Sequence, residues 1–253
     1  MSEPLAETVG GLPARAPTSA SPPSLQEEAE GFASRVNEIL QESLGHSETV
    51  IHARSSGAKV SVRAADPKGV ALYVNGVLTY RLKISYRCAW NGSRHFLAVE
   101  QSSFTFFHER TTEPLFHFDY LRNPRNVPAS HINIHTEHAA FHEAVADGKP
   151  GAPVRKKGAP RNLHIPAGGH RFRPTVEDAL EMIITEFHID HVEGWQAHIQ
   201  NGRAMFRETQ LSAAVTDHPA RAAEALRGLG YRVEWPKELG EEPPIKWDKF
   251  TAY

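Results

Sequence analysis

His131, His135, His138 and His142 fall within twelve consecutive residues, and eleven of the fifteen histidines lie between His108 and His198. Imidazole changes charge near neutral pH and is the commonest metal ligand, so this crowding opens two chemistries. Ile132 and Ile134 are β-branched and alternate with His131, Asn133 and His135, which places those three on one face of a short strand. Two imidazoles can run phosphodiester chemistry, one taking a proton from the nucleophile and one returning a proton to the leaving group. His131 and His135 are that acid/base pair, with RNA or a nucleotide phosphodiester as substrate. At four residues along a strand they are about 13 Å apart, too far to hold one metal ion.

His138 and His142 have a different competence. Four apart on a helix, they stack one turn apart and can ligate one divalent metal ion. His135 would be a third ligand and Asp119 or Glu143 a carboxylate, which defines a metal-dependent hydrolase as an alternative. Ala139 stands where the zinc-protease helix carries its glutamate. Apart from that metal, nothing in the chain calls for a cofactor.

Gly168 and Gly169, followed by Arg171 and Arg173, form a second constellation just before Thr175. Paired glycines let the backbone approach a ligand closely. A helix N-terminus offers free N–H groups and partial positive charge, and guanidinium forks suit phosphate. These four residues are the candidate phosphate holders. The plainer alternative is a glycine turn into a helix, with the arginines in solvent or paired to Glu177 and Asp178.

The elements that must position these groups are legible in the pattern. Leu25, Ala29, Phe32, Val36 and Ile39 make a helical stripe, with Ser24 and Glu27 as a capping box and Gly45 as a stop. This helix packs on its own domain or, alternatively, docks a partner or a second copy through residues 25–44. Short alternating runs follow, joined by Asn75-Gly76 and Asn91-Gly92, the strongest short hairpin signal. Tyr80, Leu82, Ile84 and Tyr86 alternate with Arg81, Lys83, Ser85 and Arg87, so one sheet face is apolar and the other cationic. Thr136 opens a helix to about residue 147, and Thr175, with Asp178, opens another. Further helices are expected over 195–215 and 219–227, and a last strand over 231–235.

The expected fold class is therefore α+β: an antiparallel β-meander of five or six strands packed by C-terminal helices. Residues 1–24, rich in Pro, Ser, Ala and Gly, read as a disordered tail. Residues 25–45 form the amphipathic helix, 46–235 a single α+β domain, and 236–253 an extended tail.

Composition narrows the function classes. The chain has 253 residues and a net charge of −2 with histidine neutral, so no bulk basic field draws in nucleic acid. Cys88 is the only cysteine, which excludes an internal disulfide and a cysteine-based zinc site and points to the cytoplasm. No apolar stretch approaches the roughly 20 residues that span a bilayer, so no membrane role is expected.

The order of a β-meander, Phe116-His117-Phe118-Asp119-Tyr120, a proline-bearing connection, the histidine run and a helix opening Arg-Phe-Arg-Pro-Thr-Val-Glu-Asp resembles the TumE-type toxins of bacterial toxin–antitoxin pairs. The likeness covers roughly residues 50–190 and is architectural. The extra helices after Phe187, the longer N-terminus and the histidine excess depart from it. It implies a cytoplasmic, growth-inhibiting activity directed at RNA, a neighbouring antitoxin as partner, and Asp119, His131 and His135 as site residues, Asp119 orienting the imidazoles. The competing class is a non-catalytic binding protein that docks an antitoxin or a second copy through residues 25–44.

Overall fold

The computed structural model describes residues 23–45, 50–92, 96–135, 165–168 and 171–251. The expected helix from Thr136, with His138 and His142, and the loop after it lie outside the described residues, as does Gly169.

Eight strands form one antiparallel sheet: β1 (Ile51–Ser56), β2 (Lys59–Ala64), β3 (Val70–Val74), β4 (Val77–Trp90), β5 (Leu97–His108), β6 (Pro114–Leu121), β7 (Ser130–Ile134) and β8 (Ile165–Pro166). The order is β1-β2-β4-β5-β6-β7-β8, with β3 folding back onto the far end of β4. The expected meander is present as β1 to β6, and β7 and the short β8 extend it. Asn75 and Gly76 turn with φ of 51° and 75°, the doubly positive geometry of the type I′ hairpin. Asp190 holds this turn from outside, its carboxylate oxygens accepting from the Asn75 and Gly76 N–H groups at 2.8 and 2.6 Å. At Asn91-Gly92 the connection is longer than two residues, since β5 resumes only at Leu97.

Helices cover one face of the sheet. α1 (Leu25–Leu44) begins in the capping box of Ser24 and Glu27 and ends at Gly45 in the left-handed conformation. Its stripe Ala29, Ala33, Val36 and Leu40 is buried in the core of this same chain. Asn37 fixes it to the sheet: its amide oxygen accepts from the Val50 and Ile51 N–H groups, and its amide nitrogen donates to the Ile51 carbonyl. α2 (Val176–Phe187) opens with the box of Thr175 and Asp178 and buries Val176, Ala179, Leu180, Ile183 and Ile184. Its last residue, Phe187, meets Tyr80, Phe106 and Phe116 at ring separations of 5.6, 4.7 and 5.8 Å. Packing is therefore shared between the first helix of the chain and the C-terminal ones.

α3 (Trp195–Asp217) lies against α1 and α2, and α4 (Pro219–Gly228) follows it. Residues 231–235 form no strand. Their polar groups are taken locally instead, with Arg227 Nε donating to the Val233 carbonyl and Trp235 Nε1 to that of Gly240. The segment beyond, expected to be extended, contains a 3₁₀ turn (Lys237–Leu239) and α5 (Asp248–Thr251). Among the described residues no helix is long and apolar enough to cross a membrane.

Alternation along the strands now assigns the two faces. Leu82, Ile84, Tyr86 and Cys88 of β4 point under the helices and are buried, while Lys83, Ser85 and Arg87 are exposed on the other side. Burial pushes the Cys88 thiol up to about 12, so this cysteine is a core residue and no nucleophile.

Candidate functional site

The polar face of β6 and β7 gathers the chemistry. Antiparallel pairing sets Asp119 beside His131 and His117 beside Asn133. His117 Nδ1–H donates to Asp119 Oδ2 at 2.9 Å. His131 Nδ1–H donates to the Pro128 carbonyl at 2.9 Å, which turns Nε2 towards Asp119 Oδ2 at 3.8 Å. A carbonyl and a carboxylate only accept, so both ring assignments follow from the partners. His135 follows β7, its N–H donating to the Leu115 carbonyl, and its ring lies 5.3 Å from that of His117. Behind His135 stands Glu113, with Oε1 3.8 Å from Nδ1.

Two adjacent imidazoles, each backed by a carboxylate, are the result. The pair differs from the one expected. His131 and His135 sit at opposite ends of β7, and His117 from β6 takes the place next to His135. His131 is only 3% exposed, whereas the His117 side chain keeps 17%. His131 is therefore covered, behind Asp119. His117 gives Nδ1 to Asp119, which fixes its tautomer with the proton on Nδ1. Spacing within a single strand does not single out His117. The signal that finds it is His117-x-Asp119 read against His131-x-Asn133 in antiparallel pairing.

Burial by itself would raise the Asp119 carboxyl. The hydrogen bonds from His117 and Ser103 and the two nearby imidazoles outweigh it and hold the carboxyl below its ordinary range. Asp119 is thus a carboxylate throughout the neutral range. Its Oδ1, and Oδ1 of the buried Asn133, accept no hydrogen bond among the described residues, and both ring nitrogens of His135 are buried.

The candidate phosphate holders lie elsewhere. Tyr120 and Asp119 are consecutive on β6 and so point to opposite faces. Arg173 lies over the Tyr120 ring at 4.1 Å and the Phe206 ring at 5.2 Å, on the helix side. Burial there pulls its pKa down. Arg171 is bound to Asp217, with Nε and Nη2 at 2.7 and 2.6 Å from one oxygen. Lys246 approaches the other oxygen of Asp217 at 3.4 Å, so this 2% exposed carboxylate ties the Arg171 turn, α3 and the C-terminal segment together. Gly168, at φ 79°, brings the backbone close to its own chain: a Cβ there would clash with the Phe172 carbonyl. The N-terminus of α2 is already capped by Thr175 and Asp178 and carries Glu177 in its first turn. The glycine–arginine turn is therefore a structural joint, separated by the sheet from the imidazoles.

Among the described residues no group of three or more His, Cys, Asp or Glu side chains is arranged to hold a metal ion. His138 and His142, the residues singled out for that task, lie outside them.

Fold and site together define an α+β protein with helices on one sheet face and an imidazole–carboxylate cluster on the other. No family model, curated protein or solved structure matches the chain.

Proposed function

We propose that the polar sheet face is an acid/base site that cleaves a phosphodiester of RNA, with His117 and His135 as the pair. The observation that carries this reading is the 5.3 Å separation of two imidazoles, backed by Asp119 at 2.9 Å and Glu113 at 3.8 Å. His117 Nε2 takes the proton of a ribose 2′-hydroxyl. The freed oxygen attacks the neighbouring phosphorus, the bond to the 5′-oxygen breaks, and the second imidazole gives that oxygen its proton. A 2′,3′-cyclic phosphate and a 5′-hydroxyl result, with no net proton change. Asp119 stabilises the imidazolium that forms on His117, as a carboxylate does in hydrolytic triads. The resemblance to TumE-type toxins supports the same reading, in which the protein acts on RNA in a bacterial cytoplasm and an antitoxin restrains it. The apolar stripe of α1 is occupied by the sheet, so an antitoxin or a second copy docking through residues 25–44 would use the helix's outer, polar side.

Asp119→Asn tests the arrangement. Cleavage of a single-stranded oligoribonucleotide should fall about 10²-fold, because the charge that stabilises the imidazolium is gone. The same variant carries a pH signature. Asp119 titrates lower folded than unfolded, where its value is about 3.9. Its contribution to stability is therefore fully present above the unfolded value and is lost as pH falls through the folded one. Between about pH 5 and pH 3 the urea midpoint of Asp119→Asn should fall less than that of the unaltered chain. Equal cleavage rates for the two proteins would contradict the proposed role.

A further inference from the structure

Register across the sheet assembles a second feature on the polar face. Arg63, Ser85, Ser103, Asp119 and His131 form one transverse row over β2, β4, β5, β6 and β7. Ser61, Arg87 and Gln101 form the row beside it. Side chains of both rows line a groove of about 330 Å³ that reaches Asp119. Asp119 thus belongs both to the groove and to the imidazole–carboxylate cluster.

Arg63 and Arg87 stand at the far side of this groove. Arg81 is paired with Glu109 and Asp66, Arg171 with Asp217, and Arg203 with Asp178 and Glu181, whereas Arg63 and Arg87, like Arg54 and Arg122, have no carboxylate partner among the described residues. Among the described residues the side chains of Arg63 and Arg87 make no hydrogen bond or ion pair. Both are exposed, and they are diagonal neighbours on adjacent strands, about 7–8 Å apart at Cα. At that distance two guanidinium forks converge on one anion, with the hydroxyls of Ser61 and Ser85 between them. The single carboxylate of the groove, Asp119, lies two strands away, about 10 Å from β4.

We propose that the Arg63–Arg87 groove is a phosphate subsite that holds a second backbone phosphate of the single-stranded RNA, a few nucleotides along from the one cleaved. Placing both phosphates on one strand rests on the phosphodiester reading of the imidazole pair. Guanidinium is suited to the task because its planar fork donates to two phosphate oxygens at once. The sheet face is open at β1 and β2, so the strand crosses the β-strands along the row from Asp119 to Arg63.

Fluorescence anisotropy with a labelled single-stranded decaribonucleotide, made uncleavable by 2′-O-methyl groups, tests the subsite in the full chain. The double variant Arg63→Ala/Arg87→Ala should bind about tenfold more weakly at low salt, and its log–log salt dependence should be shallower by about 0.7, the contribution of one phosphate on a single strand. Both side chains are exposed, so circular dichroism of the variant should match that of the unaltered chain. Unchanged affinity and salt slope overturn the subsite, as does failure of the unaltered chain to bind the oligonucleotide. Cleavage of a dinucleoside monophosphate by the unaltered chain reports on the imidazole pair separately, since that substrate carries only the scissile phosphate. Cleavage of it, with arginine-independent decamer binding, sinks the groove alone. Arginine-dependent binding without cleavage leaves the groove standing and sinks the catalytic reading.

Discussion

On the proposed acid/base reading, His117→Ala should lower cleavage of single-stranded RNA by about 10²–10⁴-fold, the span for losing a positioned acid or base. The size follows from geometry. His117 is the imidazole whose Nδ1 is committed to Asp119 at 2.9 Å and whose other nitrogen is left for a reactant. It lies on the polar face, outside the hydrophobic core, so its removal should leave the circular dichroism spectrum and the thermal midpoint close to those of the unaltered chain. The exposed His191, on the α2–α3 connection, is the control. His191→Ala should cleave at the unaltered rate. A His117→Ala protein that cleaves within about twofold of the unaltered chain would remove His117 from the mechanism.

Phe106→Ala produces the largest loss of stability. Phe106 has no exposed surface, and its ring meets those of Tyr80, Phe116 and Phe187 at 4.8, 5.0 and 4.7 Å. It therefore joins β4, β5, β6 and the end of α2. Truncation removes the transfer energy of the ring and leaves a cavity whose walls are themselves rigid aromatics, for a cost of about 3–5 kcal/mol. That is a large part of the 5–15 kcal/mol or so by which domains are stable. Urea titration read by circular dichroism measures it. Phe106→Leu fills more of the space and should lose less, which keeps the comparison informative should the alanine protein fail to fold. A loss under about 1 kcal/mol for alanine would show that the aromatic cluster collapses freely.

What the sequence makes legible is local. Ser24 with Glu27, Thr175 with Asp178, and Asn75-Gly76 each act within four residues, and all three behave as their chemistry dictates. Strand alternation from Tyr80 to Arg87 likewise assigns the buried and open faces of β4 correctly. The site is less legible because its contacts are non-local. That His117 and Asp119 stand opposite Asn133 and His131 depends on the conformation of the connection between β6 and β7, which no periodicity reports. Arg171 looks like a free phosphate fork until Asp217, forty-six residues later, is seen to occupy it. Arg173 follows the same rule, its position fixed by the Tyr120 and Phe206 rings. Arg63 and Arg87 look like ordinary surface cations of two strands. Only the register of β2 against β4 makes them neighbours.

The histidine run itself divides by burial. His131 sits under cover at 3% exposure and supports Asp119, while His135 faces His117 across the strand pair. One carboxylate thus links a buried imidazole to a more exposed one, and the same carboxylate lines one end of the arginine groove.

End-group analysis of RNA is the most direct test of that account. A 5′-labelled single-stranded oligoribonucleotide is incubated with the purified full chain in the presence of a chelator, and the fragments are weighed by mass spectrometry. Fragments ending in 2′,3′-cyclic phosphate, formed by the unaltered chain and not by His117→Ala, are the predicted result. Intact RNA, or the same fragments from both proteins, would contradict it.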